Sequence, residues 1–320
     1  MKKTAVLLLW ISILTACGGK SAAGAGGEFV TPSSNQTELH QDDGHEHVHI
    51  EPSEATGQME VVVVPSELVV GPNRFAVGLF APSGEMIHDA QVHFHYYDLS
   101  NVENPVLESE ADAAPLQTPD GRTTIFTQER EFNREGTWGV EVQAIFPDGT
   151  AALQRIAVDV TADSISITPG EKAPAITTPT AADVDGDLSL LTSALEPNPA
   201  FYEMSLTEAL ANARPTVFLL ATPAFCQTRF CGPAYEMTGE LETKYGDEFN
   251  FVHVEVFTGL PNPAENEWEQ APVMAAFGLN TEPWIYLIDR DGTVVYRAEG
   301  MFTTAEVERH LQTLLAGGSS

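Results

Sequence analysis

Residues 215–235, PTVFLLATPAFCQTRFCGPAY, determine how the rest of the chain is interpreted. The apolar run at 216–221 has the length and composition of a buried strand, and Pro223 ends it. Cys226 and Cys231 follow, just before a predicted helix. Because the unpaired N–H groups and the positive dipole end of a helix start stabilise a thiolate, this stretch predicts thiol redox chemistry.

The composition is that of a globular protein with a strongly acidic surface. A chain of 320 residues with 43% apolar and 19% charged residues is long enough for two domains. The net charge of −31 leaves no basic surplus to neutralise phosphates, so the sequence excludes nucleic acid as a partner. The charge favours solubility and is compatible with cationic or metal-ion partners, but a generally acidic, solvated surface is the simpler explanation.

The chain begins with features of an export signal. Lys2 and Lys3 precede an apolar core at 5–14, which is too short to span a membrane. The tetrapeptide Leu-Thr-Ala-Cys at 14–17 resembles the lipobox of bacterial lipoproteins. That resemblance implies a signal peptide of residues 1–16.

The lipobox resemblance also implies lipid attached to Cys17. It places the protein on the extracytoplasmic side of the cell membrane or cell envelope, with the membrane as a partner through that lipid. The alternative is a plain secretory signal with an incidental cysteine. If Cys17 carries lipid, Cys226 and Cys231 are the only thiols left, in a compartment where disulfides persist.

Residues 17–58 are predicted to form a flexible tether, because they are rich in Gly, Ser, Asp, Glu and His and lack apolar periodicity. His45, His47 and His49 lie in the tract HQDDGHEHVH at 40–49. Imidazoles beside carboxylates are good ligands for copper, zinc or nickel, so the tract is a candidate metal site. A solvated polar segment is the alternative.

Residues 59–162 are predicted to form an antiparallel β-sandwich, since short strand-like runs alternate with turn signals. The run REGTWGVEVQ at 134–143 resembles the late strands of immunoglobulin-like extracytoplasmic modules. The predicted strands are 60–64, 74–80, 91–97, 123–127, 139–146 and 151–161.

Three histidines of this domain are a second candidate metal site. His93 and His95 are two residues apart in a predicted strand, so they share one face, and His88 is near in sequence. Copper or zinc would suit them. Half-exposed strand histidines with ordinary hydrogen bonds are the alternative.

A Pro-, Thr- and Ala-rich linker, residues 163–199, separates the sandwich from a second domain at 200–316. Ser205 and Glu208 have the spacing of a helix-capping box, and Asp-Gly at 291–292 predicts a hairpin. Helices alternate with strands before this hairpin, and a last helix follows it. The order predicts an α/β unit whose mixed sheet has helices on both faces.

This second domain, residues 200–316, resembles the thioredoxin superfamily. Cys-Gly-Pro at 231–233 is similar to the start of the family's Cys-Gly-Pro-Cys motif, and an aromatic residue precedes each cysteine. Pro283 stands at the place of the family's cis-proline, and Gly300 follows the last strand. The chain departs from the family at Ala234, where the second cysteine of the motif would stand, so its pair is Cys-x4-Cys.

The altered spacing constrains the local structure. Residues five apart in a regular helix have Cα atoms ~8.6 Å apart, beyond the ~6.8 Å limit for a disulfide. A bond between Cys226 and Cys231 therefore needs a non-helical segment, which predicts a helix beginning only at Pro233. Arg229 is expected to lower the pKa of either thiol. Which cysteine attacks first stays open.

The predicted function is that of a membrane-anchored thiol–disulfide oxidoreductase that requires no cofactor. One thiolate attacks a substrate disulfide and the other resolves the mixed disulfide. Pro283 shapes the docking groove, and Glu282 offers backbone hydrogen bonds to a substrate strand. Exported protein thiols or disulfides, or a redox partner, are the expected partners.

Three alternatives remain. The chain also resembles copper metallochaperones of the Sco type, with two thiolates for Cu(I) and the His tract for Cu(II). It lacks that family's ligand histidine in the region 285–292. An atypical peroxiredoxin would share Cys-x4-Cys, but Thr222 lies four residues before Cys226 rather than three. The last alternative is a redox-inactive thioredoxin-fold binding protein with a structural disulfide.

Overall fold

A computed structural model of the chain describes residues 57–118, 120–226 and 230–317. Within these ranges the chain forms an all-β unit followed by an α/β unit. No helix in these ranges has both the length and the apolar character needed to cross a lipid bilayer.

The first unit is an antiparallel β-sandwich, as the sequence predicts. Its two four-stranded sheets have the orders β1-β2-β6-β5 and β4-β3-β7-β8. Their inner faces share one apolar core, in which the Phe75 and Phe94 rings from opposite sheets are 5.3 Å apart. The strands are β1 Glu60–Val63, β2 Gly71–Phe80, β3 Gln91–Asp98, β4 Val106–Asp112, β5 Ala114–Gln117, β6 Thr124–Phe132, β7 Gly136–Ile145 and β8 Ala151–Val160.

Strands β4 and β5 do not appear among the predicted strands. Both are edge strands, and most of their side chains are exposed. Their sequences, VLESEAD and APLQ, are short or acidic and bury few side chains. They form strands because the backbones of β3 and β6 offer them hydrogen-bond partners. This pairing depends on the tertiary structure, so a local sequence pattern does not predict it.

The second unit is built on a mixed sheet with the order β10-β9-β11-β12. Strands β9 and β10 are parallel, while β11 is antiparallel to both of its neighbours. Helices α2 and α4 contribute to the apolar core on one face, and α1 and α3 to the core on the other, as predicted. The elements are α1 Leu206–Ala211, β9 Thr216–Leu220, α2 Cys231–Tyr245, β10 Asn250–Val254, α3 Pro272–Ala276, β11 Trp284–Ile288, β12 Val294–Glu299 and α4 Thr304–Leu315.

Local signals account for several element ends. The Ser205 side chain accepts from the Glu208 N–H and the Glu208 carboxylate accepts from Ser205, so the capping box at α1 is confirmed. Gly292, at φ +79°, forms the turn between β11 and β12. Helix α2 begins at Cys231 instead of the predicted Pro233. A proline is tolerated in the first turn of a helix, where its missing N–H has no intrahelical partner to lose.

The segment between the two units, residues 163–199, packs along the α/β unit. The Gly170 N–H donates to the Val294 carbonyl at 2.8 Å, and the Val294 N–H donates to the Glu171 carbonyl at 2.8 Å. Gly278 has φ +68°, and a Cβ there would lie 2.0 Å from the Ile165 carbonyl oxygen. These bonds attach the segment to the edge strand β12.

A buried ion pair joins the two units. The Arg74 guanidinium on β2 donates to both carboxylate oxygens of Glu306 on α4, at 2.5 and 3.0 Å, and to the Met301 carbonyl at 2.8 Å. The two side chains are 9% and 6% exposed. Tyr296 donates a further hydrogen bond to Glu306. Such a bidentate pair fixes orientation as well as distance.

We expect Arg74→Ala to destabilise the protein by about 3–5 kcal/mol, because it leaves the Glu306 carboxylate buried without its cation. The double variant Arg74→Met/Glu306→Leu should recover most of that loss, since it removes both buried charges. Denaturant unfolding of the three proteins measures the difference. A loss below about 1 kcal/mol in Arg74→Ala, the range of an exposed pair, would contradict this account.

Candidate functional site

The structure joins the two predicted cysteines in a disulfide. Cys226 lies in the turn that follows β9, and Cys231 is the first residue of α2. Their Cα atoms are 6.0 Å apart, inside the range that a disulfide permits. The Cys226 N–H donates to the Thr222 carbonyl at 3.1 Å, which bends the chain back toward the strand end. This separation is shorter than the ~8.6 Å between residues five apart in a regular helix, as a bond across this spacing requires.

The two sulfur-bearing residues differ in exposure. Cys231 is fully buried in the core between α2 and the sheet, whereas Cys226 is partly buried and lies at the edge of that core. Cys231 also occupies the first turn of a 15-residue helix, where the helix dipole stabilises negative charge. A partner molecule can therefore reach Cys226 more readily than Cys231.

The loop before β11 lies against the disulfide. The Glu282–Pro283 peptide bond is cis, and the Pro283 carbonyl accepts from the Gly300 N–H at 2.8 Å. Gly300 has φ +72°, and a Cβ there would lie 3.1 Å from the Val64 side chain, so glycine suits both its conformation and its packing. This hydrogen bond ties the proline loop to the end of β12.

The Glu282 side chain brings a carboxylate to the sulfurs. One of its oxygens and the two Sγ atoms all lie within 4.8 Å of one another. Burial raises the pKa of Glu282, which Thr222 lowers in part by hydrogen bonding. The sequence singles out Glu282 only for its backbone, because the direction of its side chain depends on the fold of the proline loop.

A second buried carboxylate, Glu255, follows strand β10. It is 4% exposed and accepts hydrogen bonds from the Ser193 N–H at 2.5 Å and the Ser193 hydroxyl at 2.8 Å. Burial raises the pKa of Glu255 to about 7, with Ser193 and Thr222 acting in the opposite direction. Thr222 therefore interacts with both Glu255 and Glu282. Sequence reasoning missed Glu255, whose apolar surroundings come from distant segments.

His253 is a core residue. Its Nε2 donates to the Ala221 carbonyl at 2.9 Å, and its Nδ1 accepts from the Tyr202 hydroxyl at 2.8 Å. Burial lowers the pKa of His253 to about 4, so the imidazole is neutral at physiological pH. With both ring nitrogens occupied by protein partners, His253 is structural.

An exposed pair of aromatic side chains stands beside Cys226. The Phe225 and Trp268 rings are 5.7 Å apart, and Trp268 also contacts Phe257 at 5.3 Å. Phe225 and Trp268 are 36% and 44% exposed. Sequence reasoning missed Trp268, which lies in a Pro- and Glu-rich insertion, although an aromatic residue in such a polar segment was an available signal.

Several predicted site residues lie outside the described ranges. These are the lipid-attachment residue Cys17, the tract histidines His45, His47 and His49, and the pKa-tuning residue Arg229. Their predicted roles stay predictions. Of the predicted site residues, the structure places Cys226, Cys231, Glu282 and Pro283 together at one end of the mixed sheet.

The chain has weak similarity to solved structures of two kinds. One is a thioredoxin-family thiol:disulfide interchange protein from Chlorobium tepidum TLS, with 18% identity and a TM-score of 0.32, over 48% of this chain and 99% of that chain. The second kind includes CopC from Methylosinus trichosporium OB3b, with 10% identity and a TM-score of 0.22, over 33% of this chain and 97% of that chain. It also includes the PmoD soluble domain from Methylocystis sp. ATCC 49242, with 15% identity and a TM-score of 0.23, over 33% of this chain and 93% of that chain. No family model and no curated protein matches the sequence.

The α/β unit resembles a thioredoxin-like domain. The resemblance rests on its strand order, on the antiparallel third strand, and on the disulfide beside a cis-proline at one end of the sheet.

We expect Glu255 to make folding stability fall as the pH rises. The unfolded chain releases the Glu255 proton near pH 4.5, whereas the folded chain keeps it until about pH 7. The free energy of unfolding is therefore highest below pH 4.5 and falls by about 3 kcal/mol in total as the pH rises to about 7. Glu255→Gln should remove this loss, which urea unfolding at pH 4.5 and pH 8 would measure. The exposed Glu267→Gln is the matched control, and an unchanged pH dependence in Glu255→Gln would refute the assignment.

Proposed function

We propose that the protein is an extracytoplasmic thiol–disulfide oxidoreductase that uses Cys226 and Cys231. The observation that carries this proposal is the pairing of a partly buried Cys226 with a fully buried Cys231 at a helix start. The cis-proline loop lies beside that pair at the end of the sheet. An unequally exposed pair suits exchange with a partner molecule, since one sulfur meets the substrate and the other stays protected.

Cys226 is the attacking residue in this proposal. With the pair reduced, the Cys226 thiolate attacks one sulfur of a substrate disulfide, forms a mixed disulfide and releases one substrate thiolate. The Cys231 thiolate then attacks the Cys226 sulfur, which closes the protein disulfide and releases the second substrate thiolate. Two electrons pass to the substrate, and the reverse sequence oxidises a substrate dithiol.

Glu282 is the proton acceptor for the buried thiol. Cys231 must lose its proton before it attacks, and its burial keeps water away. The Glu282 carboxylate lies within 4.8 Å of both sulfurs, and its raised pKa makes it a better base than an exposed glutamate. In the reverse direction, the same carboxyl group returns the proton to the departing Cys231 thiolate.

The substrate strand lies along the loop at 282–283 in this proposal, with its apolar residues on Phe225 and Trp268. Both aromatic side chains are exposed next to Cys226. An extended peptide there would reach the attacking sulfur and the proline loop together. Exported proteins with accessible cysteines are the substrate class.

The proposal predicts that the purified protein cycles between disulfide and dithiol and reduces insulin in the presence of a dithiol reductant. Cys226→Ser should abolish turnover. Cys231→Ser should trap a mixed disulfide through Cys226, because the resolving sulfur is gone. Redox titration, turnover assays and mass spectrometry of the trapped species provide the readouts. Absence of turnover while both cysteines are reducible would exclude this function.

We expect Glu282→Gln to slow the resolution of the mixed disulfide by roughly ten- to a hundredfold, as removal of a general base does. The wild-type rate should fall as the pH decreases through the Glu282 pKa, and the variant should lack that dependence. Stopped-flow measurements across pH test this. Glu299→Gln is the matched control, since Glu299 is also a partly buried carboxylate with a raised pKa, but it binds Ser66 and Thr281. Equal slowing in both variants would argue against a proton role.

A second candidate function is metal capture by the reduced pair, as in a metallochaperone. The two sulfurs and a Glu282 oxygen are close enough together to hold an ion. Thiolates suit Cu(I), and a mixed sulfur–oxygen set suits zinc. Titration of the reduced protein with Cu(I) separates the two functions, since a chaperone binds Cu(I) tightly and loses it in Cys226→Ser.

We also propose that lipid on Cys17 anchors the protein to the membrane, as the lipobox resemblance implies. The sandwich is then an immunoglobulin-like module between that anchor and the redox domain. Its two sheet orders, β1-β2-β6-β5 and β4-β3-β7-β8, are compatible with this class.

A further inference from the structure

A cluster of metal-ligating side chains covers the outer face of the sheet β4-β3-β7-β8. His93 and His95 on β3 are only 5% and 1% exposed, so they are not the half-exposed strand histidines of the sequence-based alternative. Their rings are 4.9 Å apart. Glu110 pairs directly with His95 across the β3–β4 ladder. His88 is engaged elsewhere, with its Nδ1 2.9 Å from the Thr124 hydroxyl.

The three side chains converge on one point. One ring nitrogen from each of His93 and His95 and one carboxylate oxygen of Glu110 all lie within 4.8 Å of one another. The His95 Nε2 is 3.1 Å from the Glu110 Oε2. Two ligands at a tetrahedral metal centre are separated by about 3.4 Å when each bond is about 2.1 Å, so these separations need only small adjustments.

A second layer of residues orients both imidazoles. The Asp112 Oδ1 is 2.7 Å from the His93 Nδ1, which holds that ring and favours the tautomer with a lone pair on Nε2. The Glu141 Oε1 is 3.5 Å from the His95 Nδ1, and the Gln143 Nε2 donates to that carboxylate at 2.9 Å. Carboxylates beside the outer ring nitrogen are typical of histidines that bind metals.

The charge of the cluster also favours a cation. Its carboxylates are Glu110, Asp112 and Glu141, and its single guanidinium is Arg155, whose Nε donates to Glu141 at 2.7 Å. With neutral imidazoles, two negative charges remain on a face whose histidines and Glu141 are buried. A bound divalent ion would neutralise them.

We propose that His93, His95 and Glu110 form a binding site for a divalent late transition-metal ion, with Asp112 and Glu141 as positioning residues. Two imidazoles and one carboxylate suit Zn(II) and Cu(II). Glu110 is exposed and lies on an edge strand, so the ion enters from that side. The site is in the sandwich, and this proposal does not depend on the chemistry of Cys226 and Cys231.

The test uses the full chain in its disulfide form, so that thiols do not bind the metal. The tract histidines are replaced by asparagine in this background, at His40, His45, His47 and His49. Zn(II) alone is titrated by calorimetry, and Cu(II) alone is followed by electron paramagnetic resonance. We expect a single ion per chain, with the hyperfine pattern of two nitrogen ligands for Cu(II).

Single substitutions distinguish the residues that bind the ion from the residues next to them. Glu110→Gln and His95→Gln should weaken binding by at least tenfold, and Asp112→Asn by about ten- to a hundredfold. Glu110→Gln keeps the proposal testable if His95→Gln fails to fold, because Glu110 is exposed. Glu108→Gln, two residues away on the same strand, is the matched control and should bind as the background does. No binding in the background, or equal binding in Glu110→Gln and Glu108→Gln, would overturn the site.

Discussion

The Cys226–Cys231 disulfide depends on where helix α2 begins. A disulfide between residues five apart cannot form inside a regular helix, because their Cα atoms would be too far apart. Helix α2 begins at Cys231, and Cys226 remains in the turn, so the Cα atoms approach to 6.0 Å. The buried strand β9 sets the position of that turn, since every one of its residues is buried in the sheet. The exposure of Cys226 and the burial of Cys231 follow from this arrangement.

Buried carboxylates give the site its chemistry. Glu282 and Glu255 interact with the same threonine, Thr222, and burial raises the pKa of both. Protonation is thereby favoured at a pH where exposed glutamates are ionised. A carboxyl group of this kind, within 4.8 Å of the sulfurs, can take up the proton that thiol exchange releases. The ionised Glu255 carboxylate lowers the folding stability at higher pH, because it is buried.

The sandwich packs against the α/β unit next to the disulfide. Phe230, which directly precedes Cys231, packs in a cluster with Ala76 and Ile125 of the sandwich and with Met301. The Arg74–Glu306 pair fixes the same interface. Phe230 therefore places the start of helix α2 against the first domain. On the opposite sheet of the sandwich, the cluster around His93 and His95 offers a site of different chemistry.

The sequence by itself determined the two-unit organisation, most of the strands, the helix caps and the cysteine pair, because these depend on neighbours along the chain. Apolar alternation predicts β2 and β3, and Ser205 with Glu208 predicts the start of α1. Only the tertiary structure decided the partners of individual side chains. The Thr303 side chain caps α4 by accepting from the Glu306 N–H, yet the Glu306 carboxylate binds Arg74 from 232 residues away.

The same reason explains the other features that the sequence did not reveal. The exposed strands β4 and β5 bury few side chains and exist through pairing with their neighbours. The Glu282 carboxylate reaches the sulfurs through the fold of a loop more than fifty residues further along the chain. Local patterns record burial and turn chemistry, whereas a site is made by long-range contacts whose geometry no short stretch of sequence contains.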